Sequence, residues 1–175
     1  IMLMLRKLIK IIIFLIFPFN AVFAADIPII VIAPGKSVQS YSTVGSSVSV
    51  VDGKSLENSG SYFLGDALNN DLPGMNYFQS GGHGTTAGIQ LRGLPKRYST
   101  VYIDGVKMSD PSTSDNAFYF SSIMNSTVDR VEILRGSQSS LYGSSAIGGT
   151  INIYTKKGGK GKNKKFEITN GSNGT

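Results

Sequence analysis

The chain contains no cysteine, no tryptophan and a single histidine, His83. The missing cysteine excludes a disulfide framework, a thiolate metal site and a cysteine nucleophile. One histidine with no carboxylate close to it in sequence makes neither a metal-ligand cluster nor a catalytic dyad. A lone loop histidine reads as a solvent-exposed residue or a ligand contact. No Ser-His-Asp signature and no paired-carboxylate motif stands out, and the many serines fall where turns are expected. The chain therefore reads as a protein that is not an enzyme. One lysine is also missing from a telling place. "GSSAIGGT", Gly143 to Thr150, fits a phosphate-binding loop at Gly143, Gly148 and Thr150, but Gly149 stands where that loop needs lysine. Such a loop must lead into a helix, whereas Thr150 leads into the β-branched run "INIYT", a strand.

Charge is scarce, at 16% of residues, and unevenly placed. The formal net charge of +6 comes from the two ends: Arg6, Lys7 and Lys10 at the front, and six lysines between Lys156 and Lys165 at the back. Between residues 26 and 155, eight bases (Lys36, Lys54, Arg92, Lys96, Arg97, Lys107, Arg130, Arg135) stand against ten acids. A nucleic-acid binder needs a basic face on its folded part, so nucleic acid is not an expected partner.

Glycine, by contrast, is abundant, with 21 residues, and serine and asparagine accompany it. This composition favours turns, short strands and close backbone packing. Residues 1–24 read as a signal peptide, with Arg6, Lys7 and Lys10 as its positive region and Ile11 to Phe17 as its apolar region. Val22 and Ala24 mark a cleavage site before Ala25. The competing reading, a membrane anchor, needs about 20 apolar residues, and this run is stopped earlier on both sides.

The body alternates short periodic segments with turn chemistry. "IPIIVIAPG" is an extended or edge strand between Pro28 and Pro34. "VSVVDG" is a strand closing on an Asp52-Gly53 turn, and Ser55 and Ser61 are predicted N-caps of two short helices. The second helix carries Phe63, Ala67 and Leu68 on one face and stops before Pro73. "MNYFQ", "IQLRG", "STVYIDG", "VDRVEILRG" and "TINIYT" read as strands, and "SQSSLYG" as one helical turn. Two polar loops, Gln79 to Thr86 and Met108 to Asn116, separate them. The expected fold is a small α+β domain with a short-stranded mixed sheet and short helices. A cationic linker follows Thr155, and "FEIT" starts another strand. The expectation is a chain cut from something longer: an N-terminal fragment, or the product of an incomplete gene.

The ordered series "LNNDLPGMNY", "GIQLRG", "VYIDGV" and "VDRVEILRGSQSSLYGSSAIGGTINIYTKKG" resembles the plug domain of TonB-dependent outer-membrane receptors. The "GG-x-G" pattern of Gly81, Gly82 and Gly84 is similar to the cobalamin-transporter type of that family. The resemblance implies residues 25–40 as TonB-box segment and linker, 41–156 as plug, and 157–175 as the lysine-rich linker with the start of a first barrel strand. It implies a 22-stranded barrel around the plug, absent from this sequence.

The resemblance also implies roles. Pro28, Ile29, Ile30, Val31, Ile32 and Ala33 resemble the TonB box, suited to adding a strand to TonB; the alternative is an ordinary first strand. Arg92 and Arg135 resemble plug arginines that pair with barrel-wall glutamates, with Glu132 available to balance them; the alternative is two solvated strand ends. In this chain the two arginines are expected to lack those partners. Gln79, Ser80, Gly81, Gly82, His83, Gly84 and Thr85, with Met108, Ser109, Asp110 and Ser112, resemble outward-facing ligand loops; the alternative is two solvated loops. No resident cofactor is expected, although Asp104, Asp110 and Asp115 are carboxylates that could serve Ca²⁺, an ion wanting six to eight oxygens. The implied function is a plug that binds and gates energised uptake of a scarce metal-chelate, cobalamin or a siderophore, in the bacterial outer membrane. The alternative from another class is a free-standing soluble periplasmic ligand-binding module.

Overall fold

The computed structural model describes residues 30–32, 35–82, 84–159 and 166. The signal peptide, Pro28, Ile29, Ala33, His83 and nearly all of the C-terminal linker and strand lie outside these residues. In chain order the elements are β1 (Ile30–Val31), β2 (Gln39–Ser40), β3 (Ser47–Asp52), α1 (Gly53–Asn58), α2 (Leu64–Asp71), β4 (Met75–Gln79), β5 (Ala87–Leu91), β6 (Ser99–Ile103), β7 (Val106–Met108), β8 (Val128–Arg135), α3 (Ser139–Tyr142) and β9 (Gly149–Thr155). This is the expected α+β fold.

Five strands form one mixed sheet in the order β3-β8-β9-β6-β7, with β6 and β9 parallel and the other pairs antiparallel. The β4–β5 hairpin and the β1–β2 ribbon stand apart from it. Alternation along β8 and β9 sends Val131, Ile133, Ile151 and Ile153 to one face, where they meet Leu56 of α1 and Leu64, Ala67 and Leu68 of α2. The opposite face is covered as well: Val31 of β1 packs on Val48 and Leu134. Central strands buried on both faces explain why Glu132 and Asn152 are buried although they alternate with apolar residues.

Two predicted caps move. The α1 cap is Asp52, whose carboxylate accepts the Ser55 N–H at 2.7 Å, so the helix begins at Gly53 and not after Ser55. Gly53 is required there: a Cβ would stand 2.7 Å from the Asp129 carbonyl oxygen. The cap residue of α2 is Phe63, not Ser61, and it makes no side-chain cap bond. The neighbouring segment takes over the capping role, because Leu64 N–H donates to the Ile123 carbonyl at 2.9 Å and Phe63 bridges Met124. Buried Asn125 rivets the turn between the helices by donating to the carbonyls of Leu56 and Ser61 at 3.3 and 2.6 Å.

The Asp104-Gly105 turn joins β6 to β7, with φ of 48° and 84°. Two left-handed residues suit a two-residue hairpin turn. Strand β7 was not expected, and it draws Met108 out of the second loop, so that loop begins at Ser109. Among the described residues no helix is long and apolar enough to cross a membrane, which says nothing of a β-barrel.

Candidate functional site

The first glycine-rich loop closes on itself. Ser80 N–H donates to the Thr86 carbonyl at 2.9 Å, and the Gly82 carbonyl accepts from Gln79 Nε2 at 2.6 Å and Thr85 Oγ1 at 2.8 Å. Ser80, Gly81, Gly82, Gly84 and Thr85 are exposed, and Gly84 needs its φ of 87°. The second loop is built on an Asx turn: the Asp110 carboxylate accepts from Ser112 N at 2.9 Å and Ser112 Oγ at 2.6 Å. The same two bonds hold the Asp110 carboxyl below its ordinary pKa.

One residue that the sequence reading passed over ties the second loop to β5. Lys96 Nζ lies 3.1 Å from Asp115 and 4.2 Å above the Tyr119 ring, while its stem lies 3.0 Å from where a Cβ on Gly88 of β5 would sit. Burial disfavours its charge, but Asp115 and the Tyr119 hydroxyl outweigh that and raise its pKa. The available signal was the basic pair Lys96-Arg97 just after a proline, too common a pattern to single out.

The three candidate Ca²⁺ carboxylates are not gathered. Asp104 is at the β6–β7 turn, where it accepts from Thr155 N at 2.9 Å and Thr155 Oγ1 at 2.5 Å. Asp115 is engaged by Lys96. Among the described residues no three His, Asp or Glu side chains converge on a metal position.

The arginine expectations divide. Arg92 and the Arg135-Gly136 pair do meet, with Arg92 Nη1 3.5 Å from where a Cβ on Gly136 would sit. Arg92 is exposed, in the left-handed region at φ 55°, and no bond of its guanidinium is formed among the described residues. Arg135, whose barrel partners lie outside this chain, donates within the plug to Ser49 Oγ at 2.6 Å and the Pro73 carbonyl at 3.1 Å, leaving only its Nε buried without a hydrogen bond. Glu132 balances neither arginine. It stands three residues from Arg135 on the same strand, hence on the opposite face, and pairs with Arg130 Nε at 2.8 Å.

That second face holds the N-terminal segment. Ile30 and Val31 are extended, as expected, but their edges are not all free: they pair with Ser40 and Gln39. Val31 is fully buried, and Ile32 N–H donates to Glu132 Oε2 at 2.9 Å. Beside Ile32 runs a cleft of about 670 Å³, lined among others by Tyr102, Arg130, Tyr142 and Tyr154. Tyr142 anchors it: its ring meets Tyr102 edge-on at 5.1 Å, Lys36 Nζ stands 4.8 Å from its centroid, and its carbonyl accepts from Tyr102 Oη at 3.3 Å. Burial, with Tyr102 and Glu132 nearby, pushes the Tyr142 hydroxyl up to about 12.

"GSSAIGGT" is a return loop. Gln138 N–H donates to the Ala146 carbonyl at 2.8 Å, Gly136 N–H to Gly148 at 3.1 Å, and Gly148 N–H to Tyr98 at 2.9 Å. Its exit into β9 leaves no phosphate cradle at a helix start.

A mixed sheet covered on both faces, a docked N-terminal strand and two self-bonded polar loops, the second braced by one lysine, define a compact loop-bearing plug. The chain belongs to the family of TonB-dependent receptor plug domains, whose family model matches residues 40–150. It is 33% identical over 127 residues to the vitamin B12 transporter BtuB of Vibrio cholerae serotype O1, covering 73% of this chain and 20% of that protein. The siderophore receptor PiuA of Acinetobacter baumannii is 32% identical with a TM-score of 0.50, over 67% of this chain and 15% of that one. The ferripyoverdine receptor of the Pseudomonas aeruginosa outer membrane, 22% identical, shares the fold with a TM-score of 0.61 over 74% of this chain and 16% of that one. The chain thus spans about a fifth of the length of its curated relative. These relatives are transporters and receptors, not enzymes.

Proposed function

We propose that this plug gates TonB-energised import of a scarce metal-chelate, a corrinoid or a ferric siderophore, through an outer-membrane barrel. The observation that carries the reading is the placement of the N-terminal segment. It pairs with β2 over two residues, and among the described residues it is docked on the sheet by the Val31 side chain and one backbone hydrogen bond, so a pulling partner has a handle that detaches from a well-packed body. The second ligand loop leaves β7 beside Val101, whereas the cleft next to Ile32 opens toward Asp104 and Thr155, further along the same strand pair. Ligand and partner thus have separate surfaces, as coupling between two sites requires.

In this reading residues 28–33 are captured by TonB through strand addition. Gln79–Thr85, Ser109, Asp110 and Ser112 face the chelate, and His83 contributes from the first loop. Arg92 and Arg135 meet carboxylates of the barrel wall. The similarity to BtuB favours this over a free-standing periplasmic module.

The test uses the complete gene that carries this chain in a receptor-deficient strain. Growth on cyanocobalamin or on ferric siderophores should be restored by the wild-type gene and lost on Ile30→Pro, with binding of the same chelate to cells retained. Full uptake by a variant lacking residues 28–33 would overturn the proposal.

A further inference from the structure

We propose that Glu132 is a clasp that fastens residues 30–32 to the second face of the sheet, and that opening it frees the segment while the sheet stays folded. This goes beyond the import reading and does not depend on TonB being the partner.

The carboxylate is fully buried in the middle of β8, where an apolar residue would be the ordinary choice. Its two oxygens face different elements. Oε1 accepts from Arg130 Nε at 2.8 Å, on its own strand, and Oε2 accepts from Ile32 N–H at 2.9 Å, one hundred residues away. A hydrogen bond to a charged acceptor is stronger than one between neutral groups. The β1–β2 ribbon is only two residues long and would not hold by itself. Among the described residues the attachment to the sheet therefore rests on the Val31 side chain against Val48 and Leu134, and on the Ile32 amide on Glu132.

The arrangement also explains how release leaves the sheet intact. Arg130 continues to balance the carboxylate when Ile32 departs. The cleft of about 670 Å³ that Ile32 lines lets water take the place of the amide. A carboxylate suits the site because each of its oxygens accepts from one of these two donors. Glutamine offers one oxygen and one NH₂, so in Glu132→Gln either Arg130 or Ile32 must face a donor.

The experiment is amide hydrogen exchange on this chain, with trypsin cleavage after Lys36 as a second readout. The variants are Glu132→Gln and Ile32→Pro. The proline removes the donor from the segment side and leaves the sheet untouched, and Val31 already has the extended backbone that a following proline favours. In both variants exchange across residues 30–40 should rise at least ~10-fold, the factor expected for losing one hydrogen bond to a charged group. Cleavage after Lys36 should accelerate by a similar factor, while Ile133 and Ile151 amides keep wild-type protection. If Glu132→Gln disturbs β8 itself, Ile32→Pro decides alone. Protection of residues 30–40 within twofold of wild type in Ile32→Pro would overturn the clasp.

Discussion

Lys96 Nζ stands 3.1 Å from the Asp115 carboxylate, with 18% and 25% of the two side chains exposed, and this one contact ties the second polar loop to the turn after β5. A partly shielded single pair is worth roughly 0.5–1 kcal/mol. Lys96→Met keeps the stem against Gly88 and removes only the charge. It should lower stability by about that amount, up to ~1 kcal/mol, and raise amide exchange across residues 110–117 several-fold, leaving β8 and β9 unchanged. Raising the salt concentration should produce part of the same loosening in the wild type.

Asp104 holds the end of β9 through Thr155. The two hydrogen bonds from Thr155 lower its pKa below the ordinary 3.8. Because the folded value lies below the unfolded one, this contribution is complete above pH 3.8 and is lost as pH falls through the folded pKa. In an acid titration followed by NMR, the Thr155 amide should shift and lose protection only below that point. Asp104→Asn should show the loosened Thr155 amide already at neutral pH.

Two glycines of the return loop should respond differently to alanine. At Gly149, φ is 148° and a Cβ would collide with the Leu134 carbonyl and lie 2.8 Å from Leu91 Cδ1. Both neighbours belong to the body of the domain, so Gly149→Ala should cost at least ~3 kcal/mol in urea unfolding. At Gly143 φ is 89° but the space is open. Gly143→Ala should cost the backbone strain alone, about 1–3 kcal/mol.

The two arginines make a further contrast. Arg135→Met removes donors from Ser49 Oγ and the Pro73 carbonyl. It should destabilise this chain by about 1–3 kcal/mol. Arg92→Ala removes an exposed side chain with no bond among the described residues and should stay within about 0.5 kcal/mol in the same assay. Equal losses from both would contradict the assignment of their roles within the plug.

Local rules carried much of the reading. The strands at 47–52, 75–79, 99–103 and 149–155 follow from alternation and β-branched residues, and their turns from Asp-Gly and Pro-Gly chemistry, because pleat and turn geometry act over a few residues. Motif order carried the family. The helix starts were misplaced because Asp52 accepts the Ser55 amide and so starts the helix before Ser55 could cap it, and because the Ile123 carbonyl, some sixty residues on, relieved Ser61 of any capping duty.

What the sequence by itself determined is thus the alternating pattern of the strands and the two polar loops. The tertiary structure decided which distant partner each charge meets. Glu132 faces Arg130 and the Ile32 amide, and not Arg135, because strand alternation puts positions three apart on opposite faces. Lys96 reaches Asp115 and Asp104 reaches Thr155 because sheet order, a long-range property, brings those segments together. Hydrogen bonds and ion pairs depend on distances of a few ångströms, and no local sequence rule fixes those between segments that meet only in the folded chain.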